Sequence, residues 1–196
     1  MVITAAYLVG SISPSTVIGK MRGIDIKKEG SGNAGTTNAL RVLGGKAAFI
    51  TLVIDILKGT AAVLLTSRLT GEPTFGYFAC AAAFVGHILP IYYGFKGGKG
   101  VAVAFGGLLG VNWKLALILL LIVAFFTVFS KRMSVGSLAG AISAPLVAWM
   151  LEPAFLPFVS AIALIILIKH RGNIERLIKG VEPPMSIFVK KKSGDR

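Results

Sequence analysis

Seven apolar runs, separated by short polar segments, divide the chain along most of its length. They cover residues 2–19, 46–66, 73–93, 100–112, 114–130, 134–151 and 154–169. Because a membrane-spanning helix needs about 20 apolar residues, the pattern predicts an all-α integral membrane protein, a single domain built as a bundle of about seven transmembrane helices. The run at 100–112 is the weakest span. A helix of that length rises only about 18 Å, which leaves open whether it crosses fully, re-enters or merges with its neighbour.

The basic residues between the runs predict the orientation of the bundle. If the N-terminus is outside, the outer connections carry only Arg68 and Lys114. The inner side then receives Lys20, Arg22, Lys27, Lys28, Arg41, Lys46, Lys96, Lys99, Lys131, Arg132 and the tail from Lys169. Cytoplasmic loops carry such an excess of lysine and arginine. We therefore expect the N-terminus outside and the C-terminus in the cytoplasm, with all the glycine-rich polar stretches on the cytoplasmic side.

Composition narrows the functional class. The chain is 55% hydrophobic and only 15% charged, with a net charge of +13. In a soluble protein that charge would suggest nucleic acid. Here the charges lie in loops and in a tail that includes Lys190, Lys191 and Lys192, where topology and anionic headgroups explain many of them. No nucleic-acid partner is expected. The lone Cys80 sits in an apolar run and excludes a disulfide framework, and Met1–Ile18 is expected to be a retained span rather than a cleaved signal.

Two features inside the apolar runs predict helix packing. Asp55 and Lys58 lie three residues apart in the second span, and since each alone is costly in lipid, we expect them to pair within the bundle. Pairs of glycines four residues apart permit close helix contact; they are Gly106 with Gly110 and Gly136 with Gly140.

The stretch from Gly94 to Gly107, GFKGGKGVAVAFGG, places Lys96 and Lys99 among glycines at the start of a predicted helix. Free backbone amides beside ammonium groups form a cradle for phosphate. The spacing differs from that of a nucleotide-binding loop, so the pattern indicates an anion and not specifically ATP. The alternative is a flexible turn with ordinary cytoplasmic lysines. Just upstream lies His87, near Pro90, which would break or kink the helix. His87 is either a packing residue or a proton acceptor or phosphate ligand.

A second polar stretch, GSGNAGTTNALR from Gly30 to Arg41, contains a formal dinucleotide-binding pattern. No strand precedes it, so that function is excluded by context. What remains is a glycine-rich turn that leads into a short helix, with side chains suited to a phosphate monoester. These are Ser31, Asn33, Thr36, Thr37, Asn38 and Arg41. The alternative is an interfacial helix capped by Ser31 or Asn33.

The third polar stretch, HRGNIERLIKGVE from His170 to Glu182, has an apolar stripe of Ile174, Leu177, Ile178 and Val181. It predicts an amphipathic helix on the membrane surface. Its start brings His170 and Asn173 close to the other two loops, and Glu182 either contacts a ligand or pairs with a basic residue.

These three stretches, with LVIDILKG of the second span between the first two, closely resemble the bacterial acyl-phosphate-dependent glycerol-3-phosphate acyltransferases, the PlsY family. The resemblance implies an inner-membrane enzyme that moves an acyl chain from acyl phosphate to the 1-hydroxyl of glycerol 3-phosphate, giving lysophosphatidic acid and phosphate. It also implies no metal, no cofactor and no obligate protein partner, with acyl phosphate, glycerol 3-phosphate and membrane lipid as the molecules contacted.

The resemblance suggests roles for the polar residues. We expect the amides of Gly97, Gly98 and Gly100, with Ser31 and Asn173, to hold the acyl phosphate and stabilise the oxyanion formed on attack. Glycerol 3-phosphate would bind near Asn33, Thr37, Asn38 and Glu182, with its phosphate held by Arg41 and Lys99, together with Lys96 and His170. The proton acceptor is left open among His87, His170 and a substrate phosphate oxygen.

The competing class is a transporter of phosphate compounds, for which broken helices and intramembrane charges are also typical. Against it, the sequence has no repeated halves, and its polar motifs gather on one predicted face. A CDP-alcohol phosphotransferase would need clustered metal-binding aspartates, whereas the 8 acidic residues here are scattered.

Overall fold

The computed structural model describes residues 1–185 and Phe188, and the basic tail residues Lys190, Lys191 and Lys192 lie outside the described residues. The described part is helical, without strands. Its α-helices are α1 Val2–Gly10, α2 Pro14–Met21, α3 Thr36–Val42, α4 Gly45–Thr70, α5 Pro73–Ile88, α6 Val101–Val111, α7 Trp113–Ser130, α8 Met133–Leu151, α9 Leu156–Lys169 and α10 Arg171–Ile178. Short 3₁₀ turns follow at Ile91–Tyr93 and Pro153–Phe155.

The lengths of these helices fit a membrane protein. Four stretches within the described residues are long and apolar enough to cross a bilayer: Gly45–Thr70, Pro73–Tyr93, Trp113–Ser130 and Met133–Leu151. Two bent pairs, α1 with α2 at 43° and α9 with α10 at 54°, raise this to 6 if each pair is one span, and α6 is a shorter apolar helix. The predicted total of about seven crossings and the predicted orientation stay predictions.

The first predicted span is divided by a break between α1 and α2. Pro14 begins α2, where its missing N–H costs nothing, and Ser13 before it is extended. The break leaves the Ile12 carbonyl outside both helices, and the Lys58 ammonium of α4 donates a hydrogen bond to it at 2.7 Å. The backbone group exposed by the break is therefore satisfied within the bundle, as apolar surroundings require.

Glycines allow the helices around the predicted polar loops to touch closely. A Cβ on Gly106 of α6 would lie 2.0 Å from the Ile56 carbonyl of α4, and one on Gly136 of α8 would lie 2.5 Å from the Val123 carbonyl of α7. The same holds for Gly110 against Val63 at 2.7 Å and Gly140 against Val123 at 2.5 Å. The packing role predicted for both glycine pairs is confirmed.

The buried core is formed mainly by α5 to α9, with Phe84, Leu115 and Phe155 fully enclosed. Large apolar side chains on the outer faces are exposed, such as Phe125, Phe129 and Trp149. Exposed apolar surface on this scale is expected of helices that face lipid. The core thus extends along α5 to α9.

Candidate active site

One cavity of about 420 Å³ is lined by all three polar stretches and by the helices beneath them. It brings together eleven of the fourteen predicted site residues, which are Ser31, Asn33, Thr37, Asn38, Arg41, His87, Lys99, Gly100, His170, Asn173 and Glu182. Lys96, Gly97 and Gly98 do not line it. The polar mouth of the cavity is therefore assembled from segments far apart in sequence, as predicted.

The polar stretch from Gly30 to Arg41 forms the first loop of the site and is held in place by Asn38. The side-chain amide of Asn38 is buried and makes hydrogen bonds through both its oxygen and its nitrogen. Its Oδ1 accepts from the Ser31 amide at 2.8 Å, and its Nδ2 donates to the carbonyls of Ile26 at 3.1 Å and Glu29 at 3.0 Å. Both Nδ2 hydrogens are in use, so the amide has no donor left for a phosphate. The expectation that Asn38 binds substrate is thus corrected: its amide shapes the loop.

Capping of α3 also differs from the alternative considered above. The N-cap is Gly35, with no side-chain capping bond, so neither Ser31 nor Asn33 serves as the cap. The Arg41 side chain projects from α3 and is exposed at the rim of the cavity. Within the described residues its guanidinium has no hydrogen-bonding partner. The Ser31 hydroxyl is in the same situation. Both side chains are therefore available to an anion.

The second loop folds back on the end of α5, which stops at Ile88 just before Pro90 as predicted. The Gly98 amide donates to the His87 carbonyl at 3.2 Å. A Cβ on Gly97 would lie 2.0 Å from that carbonyl oxygen, and one on Gly98 would lie 2.3 Å from the His87 Nε2. The Gly98 amide is thus not free to bind acyl phosphate, which corrects that expectation. Both glycines are needed for close packing.

His87 is fixed from below by the predicted ion pair, which the structure confirms. Lys58 Nζ lies 2.8 Å from Asp55 Oδ1 and 3.0 Å from His87 Nδ1, and all three side chains are buried. Since the ammonium is a donor only, His87 Nδ1 accepts the hydrogen bond and Nε2 carries the proton. In this tautomer His87 offers the loop an N–H and no free lone pair.

Lys99 is the ammonium that reaches the cavity. It donates to Asn173 Oδ1, and burial lowers the pKa of Lys99 to about 8, with Glu182 opposing the shift and Arg176 and Arg41 adding to it. A lysine with a pKa so close to neutrality and a partly buried position is a functional-site candidate. Its charge would be stabilised further by a bound anion.

Glu182 organises the third stretch. It accepts hydrogen bonds from Ser134 at 2.8 Å and Asn173 at 2.6 Å, and forms an ion pair with Arg176 at 2.7 Å. Burial raises the pKa of the Glu182 carboxyl, but these hydrogen bonds and the Arg176 charge together hold it below its usual range. Of the two roles left open for Glu182, pairing with a basic residue is confirmed.

Two members of this network were not singled out in the sequence. Arg176 lies outside the apolar stripe of α10 and reaches Glu182, whereas Glu175 and Lys179 form an exposed pair of their own at 2.7 Å. Ser134 lies in the first turn of α8, outside the three polar stretches. Nothing in its local sequence marks it, because its role depends on a partner 48 residues away.

His170 lies at the bend between α9 and α10, buried in the wall of the cavity. Its Nδ1 is 2.8 Å from the Ile166 carbonyl, and since a carbonyl can only accept, Nδ1 carries the hydrogen. Burial, and then the neighbouring Lys99 charge, lower the pKa of His170 to about 4. The ring is therefore neutral near pH 7, with a weakly basic Nε2.

Below the mouth the cavity becomes apolar. Its floor is formed by side chains of α5 to α9, which are Cys80, Ala104, Phe105, Leu108, Leu119, Leu120, Val123, Ala141, Ala144, Val159, Ile162, Ala163 and Ile166. Such a cavity suits an amphiphile with a negatively charged head and a hydrocarbon tail. In the part of the chain that the structure describes, no three His, Cys, Asp or Glu side chains come together as a metal-binding group.

Comparison with known proteins gives consistent matches over nearly the whole chain. The family model described as glycerol-3-phosphate acyltransferase matches residues 1–180. A glycerol-3-phosphate acyltransferase of Shewanella halifaxensis is 40% identical over 187 residues, covering 95% of this chain and 94% of that protein. One of Shewanella sediminis is 40% identical over 194 residues, covering 98% and 95%.

Two solved structures share the fold. Both are crystal structures of PlsY (YgiH), an integral membrane glycerol 3-phosphate acyltransferase. The glycerol 3-phosphate form has a TM-score of 0.90 at 34% identity, covering 96% of this chain and 98% of that one. The lysophosphatidic acid form has a TM-score of 0.87 at 34% identity, covering 96% and 97%.

Proposed function

Because this chain belongs to the glycerol-3-phosphate acyltransferase family, we propose that it transfers a fatty acyl group from acyl phosphate to the 1-hydroxyl of glycerol 3-phosphate. The products are lysophosphatidic acid, which is the first acylated intermediate of phospholipid synthesis, and inorganic phosphate. The observation that carries the proposal is the single cavity in which a cationic mouth is continuous with an apolar floor. That arrangement fits an acyl chain below and two phosphate groups above.

The mouth supplies the groups that would hold both phosphates. Arg41, exposed at the rim, can clamp the phosphate of glycerol 3-phosphate with two parallel hydrogen bonds. Lys99, with the Ser31 hydroxyl and the second Nδ2 hydrogen of Asn173, would bind the acyl phosphate and the oxyanion that develops on its carbonyl. A donor aimed at such an oxyanion is worth about 3–4 kcal/mol in the barrier.

Lys96, Gly97 and Gly98 have no place among these contacts, since they do not line the cavity. The Gly100 amide and the Asn33 and Thr37 side chains remain candidates for binding substrate, because all three line it.

The reaction then needs no covalent intermediate on the protein. The 1-hydroxyl oxygen attacks the carbonyl carbon and forms the new ester bond, while the bond from that carbon to the phosphate oxygen breaks. The phosphate leaves with the electron pair. Holding the two substrates in line supplies much of the rate enhancement, because it replaces an encounter by a reaction within one complex.

The hydroxyl proton is proposed to pass to a phosphate oxygen of the substrates. The protein groups around the cavity are poor acceptors: Asp55 is paired with Lys58, Glu182 is committed to its own partners, and the lone pair of His87 faces Lys58. His170 is neutral but weakly basic, and general base catalysis is most effective when the base has a pKa near the working pH. A phosphate oxygen, with a pKa of about 6, suits the task better.

The proposed setting is the inner membrane of a bacterial cell, with the N-terminus outside and the cavity mouth facing the cytoplasm. The basic loops that carry the candidate site support this orientation, since lysine and arginine gather on the cytoplasmic side. Glycerol 3-phosphate would reach the mouth from water, and acyl phosphate would reach the floor from the membrane. Neither a metal nor a protein partner is proposed for the reaction.

The test is transfer of radiolabelled acyl from acyl phosphate to glycerol 3-phosphate by the purified protein in lipid. Chelator is present, and acyl-CoA and acyl carrier protein are absent. The expected result is label in lysophosphatidic acid with one phosphate released per transfer, and loss of both with the Lys99→Ala variant. If folded protein in more than one lipid releases no product, the donor assignment is wrong. Flux of phosphate compounds into vesicles would then be measured, since a transporter is the competing class.

A further inference from the structure

A second cavity, of about 460 Å³, lies on the other side of the glycine-rich second loop. It is lined by the end of α2, the turn that follows, and the 3₁₀ turn after α5, namely Thr16, Lys20, Gly23, Ile24, Asp25, Ile26, Lys27, Tyr92 and Tyr93. It shares no lining residue with the candidate active site. The reaction proposed above leaves its lysines without a role.

Two ammonium groups converge on one aromatic ring in this cavity. Lys27 Nζ lies 5.3 Å and Lys20 Nζ lies 5.7 Å from the centroid of the Tyr93 ring, and Lys27 also donates to the Tyr93 carbonyl at 3.3 Å. The two cations are thus held at one ring although their mutual repulsion opposes it. Cation–π contacts of this kind are worth about 0.5–1 kcal/mol each at exposed sites.

Nearby charges act on this pair. Burial lowers the pKa of Lys27, Asp25 opposes that shift, and the charges of Lys20 and Lys96 lower it further. The Asp25 carboxylate accepts a hydrogen bond from the Lys27 amide at 3.1 Å, which ties it to its own turn. The cavity lining thus holds two ammonium groups and one carboxylate, an excess of positive charge that a bound anion would relieve.

The rim of the cavity is apolar. Met21 at the end of α2 and Ile91, Tyr92 and Phe95 around the 3₁₀ turn are large and exposed. In a protein that lies in a bilayer, exposed aromatic and apolar side chains beside lysines mark the level of the headgroups. Lysines at that level attract anionic lipid with about 1 kcal/mol each. A soluble anion would gain nothing from the apolar rim, whereas a lipid would place its acyl chains against it.

We propose that this cavity, in which Lys20 and Lys27 meet the Tyr93 ring, binds the phosphate headgroup of an anionic phospholipid. The lipid is not a reactant. The bound lipid bridges α2 to the segment after α5. It would therefore stabilise the start of the loop whose other end carries Lys99. Free phosphate offers the same charge to the lysines, and the experiment separates the two sources.

The experiment is native mass spectrometry of the full chain, released from detergent after phosphatidylglycerol or phosphatidylcholine has been added. The number of bound phosphatidylglycerol molecules is compared with the number of bound phosphatidylcholine molecules. The test variant is Lys20→Gln with Lys27→Gln. The matched control is Lys28→Gln with Lys46→Gln, which also removes two positive charges. Both of these lysines are exposed, and their side chains make no polar contact within the described residues. We expect about a fivefold loss of phosphatidylglycerol affinity for each pocket lysine removed, and little change in the control.

A charge-preserving variant guards against misfolding. Lys20→Arg with Lys27→Arg keeps both the charge and the contact with the ring, so it is expected to retain phosphatidylglycerol to within about twofold. Thermal unfolding with phosphatidylglycerol should show a stabilising shift in the native chain and in the arginine variant, and a smaller one in the glutamine variant.

Two results would overturn the proposal. Equal losses in the pocket variant and the control would mean that general surface charge retains the lipid. Displacement of phosphatidylglycerol by millimolar inorganic phosphate, with the same thermal shift from phosphate alone, would make this a site for a soluble anion.

Discussion

A side chain on Gly98 would collide with His87: its Cβ would lie 2.3 Å from the imidazole Nε2. The histidine cannot turn aside easily, because Lys58 holds its Nδ1 at 3.0 Å. The turn that delivers Lys99 to the cavity thus rests on a buried ring, which is itself locked by the ion pair of α4. A polar group deep in the bundle therefore positions a loop at its surface.

The first prediction concerns this contact. Gly98→Ala should lower the thermal stability of the protein, by about 1–3 kcal/mol in the free energy of unfolding, and cut acyl transfer at least tenfold because Lys99 is displaced. Gly45→Ala is the control, since nothing lies within 4 Å of its Cβ position. Thermal unfolding in detergent and the transfer assay measure both. An alanine at 98 with native stability and rate would show that the turn tolerates movement.

The second prediction is the pH dependence of transfer. Lys99 has a folded pKa lowered to about 8, so it is cationic below that pH and neutral above it. The kcat/KM for acyl phosphate, the substrate that Lys99 is proposed to bind, should therefore fall as pH rises through about 8. Lys99→Arg keeps its charge and should lack this alkaline limb even if its rate is lower. A limb at the same pH in the arginine variant would assign the titration to another group.

The third prediction tests Glu182. Glu182→Gln replaces a carboxylate that accepts from Ser134, Asn173 and Arg176, and it should cost about 1–3 kcal/mol of stability by leaving donors unpaired. It should also move the alkaline limb to lower pH, because Glu182 raises the pKa of Lys99.

The matched control for that substitution is Glu175→Gln. The Glu175 pair with Lys179 is exposed on both sides, and such pairs are worth little. Its stability and pH profile should stay native. A control as damaged as Glu182→Gln would mean that α10 depends on its charges in general.

The fourth prediction assigns Arg41. Arg41→Ala should raise the KM for glycerol 3-phosphate tenfold or more while the KM for acyl phosphate changes little, because the guanidinium is proposed to bind the first of the two. Arg41→Lys should recover only part of this, since it cannot form two parallel hydrogen bonds. Arg68→Ala, near the end of α4 far along the helix from the cavity mouth, is the control. Unchanged kinetics in Arg41→Ala would remove it from the site.

The fifth prediction concerns the apolar floor. Ala141→Phe would fill part of the cavity, so the preferred acyl phosphate should become shorter by several carbons. Ile142→Phe, one residue along on the exposed face of α8, should leave the preference unchanged. Competition between acyl phosphates of two lengths gives the ratio directly. An unaltered ratio in Ala141→Phe would place the acyl chain elsewhere.

Much of this fold follows from the sequence, because the length of an apolar run and the short polar gaps decide where helices begin and end. The three polar stretches could likewise be assigned to one site, since their residue types share a chemistry. Their individual roles could not be fully predicted. The sequence shows that Asn38 and Gly98 have N–H donors. It does not show that these donors already bond to the backbone carbonyls of Ile26, Glu29 and His87.

The direction of a loop side chain is equally hidden. Lys96 and Lys99 are three residues apart in a segment without helical periodicity, and only Lys99 lines the active-site cavity. Lys96 influences Lys27 instead. The predicted pairing of Asp55 with Lys58 was more secure, because the high energy of a lone charge in lipid leaves few alternatives.

The hydrogen bond from Lys58 to the Ile12 carbonyl has a consequence for biosynthesis. During membrane insertion α4 carries a lysine and an aspartate into hydrocarbon, and the broken helix at the N-terminus carries an unsatisfied carbonyl. Asp55 and Lys58 pair with each other within α4, and the Lys58 ammonium also satisfies the Ile12 carbonyl of the broken helix. We expect the translocon to release the two segments into lipid as a helical hairpin, and a nascent chain lacking residues 1–13 to leave α4 slow to partition.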